Sequence, residues 1–224
     1  MHLLETADGH AVEARLWRVD PVRVAIYLHE YRETQATWWD YATVIRRIPV
    51  SAITFDFRGH TEEEGDARDD GDQDDIPGMV EDARAAVAFA REQGFEQIML
   101  VGAGMGAAVA IEVAAGEPDL RVIGLSTPSE FDLLLTRESI VPVADRVALA
   151  ATEEDLSAAH SLTELQEAGR IPAERVRLYP GRAHGVEMLT SAEDGTPTEA
   201  RVWVDELLTG FWPGAAATPG SPLR

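Results

Sequence analysis

The sequence predicts an α/β fold: a mostly parallel central sheet with helices on both faces, entered through an N-terminal hairpin. Three observations lead there. Short apolar runs of strand length alternate with stretches of helical spacing along the 224 residues, which implies a sheet covered on two sides. Several runs stop on polar residues beside glycine, as at Asp56-Phe57-Arg58-Gly59-His60, and strand ends of that kind are where open α/β sheets place their sites. One run, Gln97 to Val101, passes directly into an Ala-rich segment through Gly102-Ala103-Gly104-Met105-Gly106, which reads as a sharp corner between a buried strand and a helix.

Each element follows from local chemistry. Leu3 to Glu5 and Val12 to Val19 form the hairpin, since Asp8-Gly9 is a strong turn pair. Val22 to Leu28 is an apolar strand ending at His29-Glu30-Tyr31, and Thr37 to Ile48 places Trp38, Tyr41, Ile45 and Ile48 at helical core spacing. Ala52 to Phe57 is the next strand. Thr61 to Asp75 is dense in Asp and Glu. There Asp70, Asp72 and Asp74 alternate, but Gly71 separates the first two acids where a calcium loop needs its glycine after the third, so a solvated acidic loop is expected. Pro77 opens a helix to about Gln93 with Met79, Ala83, Ala86 and Phe89 or Ala90 inward.

Beyond the glycine corner, Arg121 to Leu125 is a strand ending at Ser126-Thr127-Pro128, and Ser129 is placed to cap a short helix through Arg137. Strand Arg146 to Ala151 ends at Thr152-Glu153-Glu154-Asp155, helix Ser157 to Ala168 follows, and strand Val176 to Tyr179 leads into Pro180-Gly181-Arg182-Ala183-His184-Gly185. A last helix spans about Pro197 to Leu208. Residues 1–212 read as a single domain without a lid domain, and the Pro/Gly/Ala-rich residues 213–224 as a disordered tail.

Composition narrows the function classes. The formal net charge is −21 and all 19 basic residues are Arg. Such a surface repels phosphate backbones and anionic lipid, so neither nucleic acid nor membrane is expected as a partner. The absence of cysteine excludes disulfides, thiolate catalysis and Cys-ligated metals, and no metal or cofactor is expected. No run reaches the roughly 18 apolar residues of a membrane span, and the start lacks a basic-then-apolar leader, so a cytoplasmic protein is expected.

Gly102-x-Gly104-x-Gly106 has the form of the nucleophile elbow G-x-S-x-G with glycine at the serine position. Together with His29-Glu30, Asp56-Phe57-Arg58-Gly59-His60, Leu125-Ser126-Thr127-Pro128, Glu153-Glu154-Asp155 and Pro180-Gly181-Arg182-Ala183-His184-Gly185, it makes the chain resemble the α/β-hydrolase superfamily. It is most similar to the small, lidless, dienelactone-hydrolase-like and esterase-like bacterial members. The resemblance runs from Ala7 to Leu208. It implies Asp155 as the acid and His184 as the base of a Ser-Asp-His order, and an oxyanion hole made of backbone N–H groups from Met105 and from Glu30 or Tyr31. Glu30 would oppose acyl transfer there unless its side chain points away, and His29 is expected to be a structural strand-end residue.

Glycine carries no nucleophile. Loss of the catalytic serine lowers turnover by about 10⁶ in subtilisin, so no acyl-enzyme is expected at Gly104, whereas glycine suits a strained backbone there at little cost. Three functions follow. The first is a pseudo-hydrolase that binds or responds to a small-molecule ligand or ester-like substrate. The second is an enzyme using His184 and Asp155 as a general base without an acyl-enzyme. The third, dinucleotide binding at Gly102 to Ala107, is disfavoured because several strands precede the motif and position 124 is glycine where an acid is needed. Ser126, at a neighbouring strand end, is expected to be structural rather than a substitute nucleophile.

Overall fold

The computed structural model describes residues 1–44, 48–60, 74–190 and 196–212. Strands β1 (His2–Glu5) and β2 (Ala11–Trp17) form the opening hairpin, with Leu4 opposite Val12 on the buried side. The sheet continues through β3 (Arg23–Leu28), β4 (Ser51–Phe55), β5 (Gln97–Ala103), β6 (Arg121–Leu125), β7 (Val147–Thr152) and β8 (Val176–Tyr179) in the order β1-β2-β4-β3-β5-β6-β7-β8. β2 meets β4 antiparallel, and the pairings from β4 through β8 are parallel.

Strand periodicity sorts the side chains into two cores. Ile98 and Leu100 of β5 face the core shared with α2 (Ile76–Glu92), α3 (Met105–Gly116) and α5 (Leu156–Gly169), whereas Met99, Val101 and Ala103 face the one shared with α1 (Trp39–Val44) and α6 (Glu199–Gly210). Asp75, just before Pro77, caps α2 by accepting the Gly78 N–H, and Met79, Ala83, Ala86 and Ala90 are buried as the spacing predicts.

Two local expectations change. Ser129 does not cap a helix: residues 131 and 134 bridge back on each other, and α4 (Thr136–Ser139) starts only after them. The Ser129 hydroxyl instead donates to Glu164 at 2.5 Å. The segment from Thr37 begins as a 3₁₀ turn, Gln35–Trp38, before α1, with Trp38 and Tyr41 buried as expected and Ile45 outside the described residues. Asp70 and Asp72 also lie outside them, as does the tail from residue 213. Asp74 is described, and accepts the Tyr31 hydroxyl at 2.6 Å.

The end of β4 serves as a brace. Asp56 accepts the Gln35 backbone N–H and side-chain amide. Arg58, almost wholly buried, bonds Asp82 at 2.7 Å inside the core, Asp8 of the hairpin turn at 2.7 Å and Asp75 at 2.8 Å. One guanidinium therefore ties the hairpin to the start of α2.

Candidate active site

The chain steps from β3 to β4 on one side and returns to β5 on the other, so the sheet order switches direction between β3 and β5. The carboxyl ends of those two strands lie level, Leu28 opposite Gly102, and a crevice outside such a switch point is the expected ligand position. The loops leaving it are His29-Glu30-Tyr31 and the corner at Gly104.

The three corner glycines have different reasons. A Cβ on Gly102 would lie 2.5 Å from the Ala107 backbone, and one on Gly106 would lie 2.4 Å from the carbonyl oxygens of both Leu28 and His29. Those two permit helix α3 to dock against the strand ends. Gly104 meets no such crowding: a Cβ there would have Glu30 Cγ and His184 Nε2 at 3.5 Å, ordinary contacts. Its backbone, at φ +51° and ψ −123°, is what favours glycine. Met105 follows as the first residue of α3, so its N–H has no acceptor within the helix and lies at the positive helix end.

Across the crevice, His184 and Asp155 come together from different strand ends. His184 Nδ1 lies 2.5 Å from Asp155 Oδ2, and because a carboxylate only accepts, Nδ1 carries the hydrogen. The other Asp155 oxygen accepts the Ala158 N–H as the cap of α5. Neighbouring Glu153 and Glu154 donate their backbone N–H groups to Tyr179 and Gly181, and both are exposed. Asp155 is thus the acid of this triplet that reaches the ring. The turn behind His184 is pinned by Thr152 Oγ1, which donates to the Ala183 carbonyl at 2.8 Å, and by Ser126 Oγ, which accepts the Gly185 N–H at 3.0 Å.

The Glu30 side chain does not point away. Its Oε1 accepts the Val186 N–H at 2.8 Å and its Oε2 lies 3.5 Å from His184 Nε2. Gly185, at φ +49°, is shaped around it, since a Cβ there would fall 1.9 Å from Oε1. Burial raises the pKa of Glu30, while the Val186 N–H and the facing His184 pull it down, burial winning. His184 is therefore held between two carboxylates, one on each ring nitrogen.

His29 is a strut. It is fully buried; Nε2 accepts the Phe57 N–H at 2.9 Å, so Nδ1 carries the hydrogen and donates to the Glu30 carbonyl at 2.8 Å. Burial pushes its pKa down to about 3. The same Glu30 carbonyl accepts the Glu33 N–H; since C=O and N–H of a trans peptide point opposite ways, the Tyr31 N–H faces away from both donors. Ser126 lines the same cleft but is buried, its hydroxyl donating to Met188 Sδ at 3.7 Å and accepting the Gly185 N–H at 3.0 Å.

All six residues singled out in the sequence, Gly104, Met105, Glu30, Tyr31, Asp155 and His184, lie at or directly behind one cleft of about 230 Å³, which also presents Pro128, Phe131, Ser157 and Ser161. Sequence reasoning passed over Phe131 and the α5 serines; it placed Glu30 for its backbone and foresaw that its carboxylate would oppose acyl transfer unless turned away, but not its contact with His184. The glycine after His184 was the available signal for a side chain crossing there. Among the described residues no group of three or more His, Asp or Glu is placed to hold a metal ion, and no helix is long and apolar enough to cross a membrane.

The chain resembles several solved esterase structures over nearly its full length. An esterase of Pyrococcus furiosus superposes with a TM-score of 0.74 at 16% identity, covering 94% of this chain and 89% of that one. A thermostable carboxyl esterase of Bacillus coagulans gives 0.70 at 13%, covering 94% and 96%. Est1E of Butyrivibrio proteoclasticus, solved with ferulic acid bound, gives 0.69 at 14%, covering 94% and 97%. At these identities the likeness speaks for the fold. No functionally curated protein matches the sequence. The sequence pattern of the alpha/beta hydrolase family, however, matches residues 25–223, and with the sheet order and the strand-end cleft this establishes that the chain belongs to the alpha/beta hydrolase family.

Proposed function

We propose that this chain is a catalytically impaired member of its family, a single lidless domain of the dienelactone-hydrolase-like kind that serves as a small-molecule-binding or regulatory protein without forming an acyl-enzyme. The observation that carries the reading is Gly104: His184 Nε2 lies 3.5 Å from where its Cβ would be, so an oxygen borne there would meet the base, and glycine has none. The same reading makes Gly104 the vacated nucleophile position, Asp155 and His184 the inherited acid and base, and the N–H groups of Met105 and Tyr31 or Glu30 the donors to a bound carbonyl-like oxygen. The acidic surface, with net charge −21, favours neutral or cationic small molecules over nucleic acid.

A second reading draws on the Asp155–His184 pair, intact at 2.5 Å. It would act as a general base on water or on a substrate proton, with no covalent step. Glu30 beside Nε2 weighs against it, because the ring nitrogen that would take the proton already faces a carboxylate.

A thermal-shift screen of short esters, amides and their acids, repeated on His184→Ala and accompanied by turnover assays and a fluorophosphonate label, separates these. A binder keeps its ligand-induced shift in the His184→Ala protein, turns nothing over and takes no label. Turnover abolished by His184→Ala would favour the general base, and covalent labelling of the parent would refute both.

A further inference from the structure

The side chain of Glu30 has a setting built for it, and neither the fold nor an oxyanion hole made of backbone donors accounts for that setting. Its carboxylate is only one-fifth exposed. One oxygen takes the Val186 N–H, and the other faces His184 Nε2 at 3.5 Å. The backbone at Gly185 passes so close that no Cβ would fit. Its Cγ also lies 3.5 Å from the position a Cβ on Gly104 would take. The cleft-facing nitrogen of His184 and the ground in front of Gly104 therefore share one occupant.

The consequence concerns charge as well as space. With Nδ1–H committed to Asp155, a neutral ring presents the lone pair of Nε2 to the cleft, where Glu30 Oε2 stands 3.5 Å away. A hydroxyl introduced at 104 would have to compete with Glu30 for that nitrogen. An ester carbonyl seated by the Met105 and Tyr31 N–H groups would develop negative charge beside a carboxylate, which opposes the step.

We propose that Glu30 is a tethered carboxylate that engages His184 in place of the missing hydroxyl and closes the site to acyl transfer a second time, so that restoring an oxygen at position 104 is insufficient while Glu30 remains. This rests on the reading that no acyl-enzyme forms at Gly104. Glu30 is on this account a positioning and excluding residue. The step it suppresses is attack of a hydroxyl at position 104 on an acyl carbonyl: the O–acyl bond forms, the ester C–O bond breaks, and the hydroxyl proton passes through Nε2 to the departing alcohol.

Four proteins test it: parent, Glu30→Ala, Gly104→Ser, and the double replacement. Each is treated with a fluorophosphonate and with p-nitrophenyl acetate, the adduct is mapped by mass spectrometry, and kcat and KM are read separately. Gly104→Ser alone should label slowly. The double replacement should label about 10²-fold faster at position 104, in the range that access to a working general base confers, with the gain in kcat rather than KM. Equal rates for the single and double proteins overturn the proposal, as does a folded double protein that remains unlabelled. Label on the parent instead sinks the reading of Gly104 and is distinguished by the adduct's position. If the double protein fails to fold, the His184 ring ¹⁵N shifts of parent and Glu30→Ala decide: shifts unchanged by loss of Glu30 overturn the proposal.

Discussion

Acid should unlatch the turn that carries Glu30 and Tyr31, and His29 sets the size of the effect. Its ring is fully buried, with Nε2 accepting from Phe57 and Nδ1–H donating to Glu30, an arrangement that fits only the neutral ring. Burial depresses its pKa to about 3, the bond to the Glu30 carbonyl acting the other way, against about 6.5 in an unfolded chain. Below pH 6.5 the unfolded chain takes up a proton that the folded chain refuses. The contribution is therefore complete above 6.5 and is lost at about 1.4 kcal/mol per pH unit as pH falls toward 3. At pH 4.5 His29 alone costs roughly 3 kcal/mol, a large share of the roughly 5–15 kcal/mol that holds a domain folded. Urea unfolding at pH 7.5, 6.5, 5.5 and 4.5 measures the slope. Long-range ¹H–¹⁵N spectra read the ring itself, which should stay neutral with hydrogen on Nδ1 down to pH 5. A folded-state His29 that titrates near 6.5, or carries its hydrogen on Nε2, would refute the reasoning.

Two further outcomes follow from the brace and the corner. Arg58→Met leaves Asp82, which is fully buried, without its cation, and should cost about 3–5 kcal/mol by urea unfolding, against a few tenths for the exposed Arg84→Met. Gly106→Ala should cost about 3 kcal/mol or more, since its methyl would lie 2.4 Å from two carbonyl oxygens. Gly104→Ala, with only ordinary contacts and a positive φ to bear, should cost about 1–2 kcal/mol. A thermal melt that ranks the two glycines the other way would contradict the division of labour at the corner.

The sheet was legible because period and punctuation agree. Strands β5 and β6 are apolar runs that stop at glycine or serine, and α2 announces itself with Asp75 and Pro77. Asp155 and His184 were legible as strand-end residues in the expected order, since the chain fixes which loops share an edge of the sheet. The failures are of another kind. Ser129 has the chemistry of a cap, but Glu164 on α5 competes for its hydroxyl, and a contact 35 residues away leaves no local trace. The inward turn of Glu30 depends on the Val186 N–H, 156 residues on, and on the absence of a Cβ at 185. Arg58 read as part of a site segment, yet its three carboxylate partners come from a hairpin turn, the cap of α2 and α2 itself.

The corner explains why such a site can lose its chemistry and keep its form. Gly102 and Gly106 are required by the approach of α3 to β3 and β5, so the bend holds whatever stands at 104. Position 104 is constrained chiefly by its own backbone, a Cβ there meeting Glu30 and His184 only at ordinary contact distance. His184 differs, because Asp155 fixes its Nδ1 and thereby aims Nε2 at the cleft with or without a hydroxyl to meet it. In this molecule Glu30 stands before that ring nitrogen, held there by Val186 and by the close pass of Gly185. A change at Gly185 should therefore be felt at His184 through Glu30, whereas Gly104→Ala, which brings no hydroxyl, should be felt mainly as backbone strain.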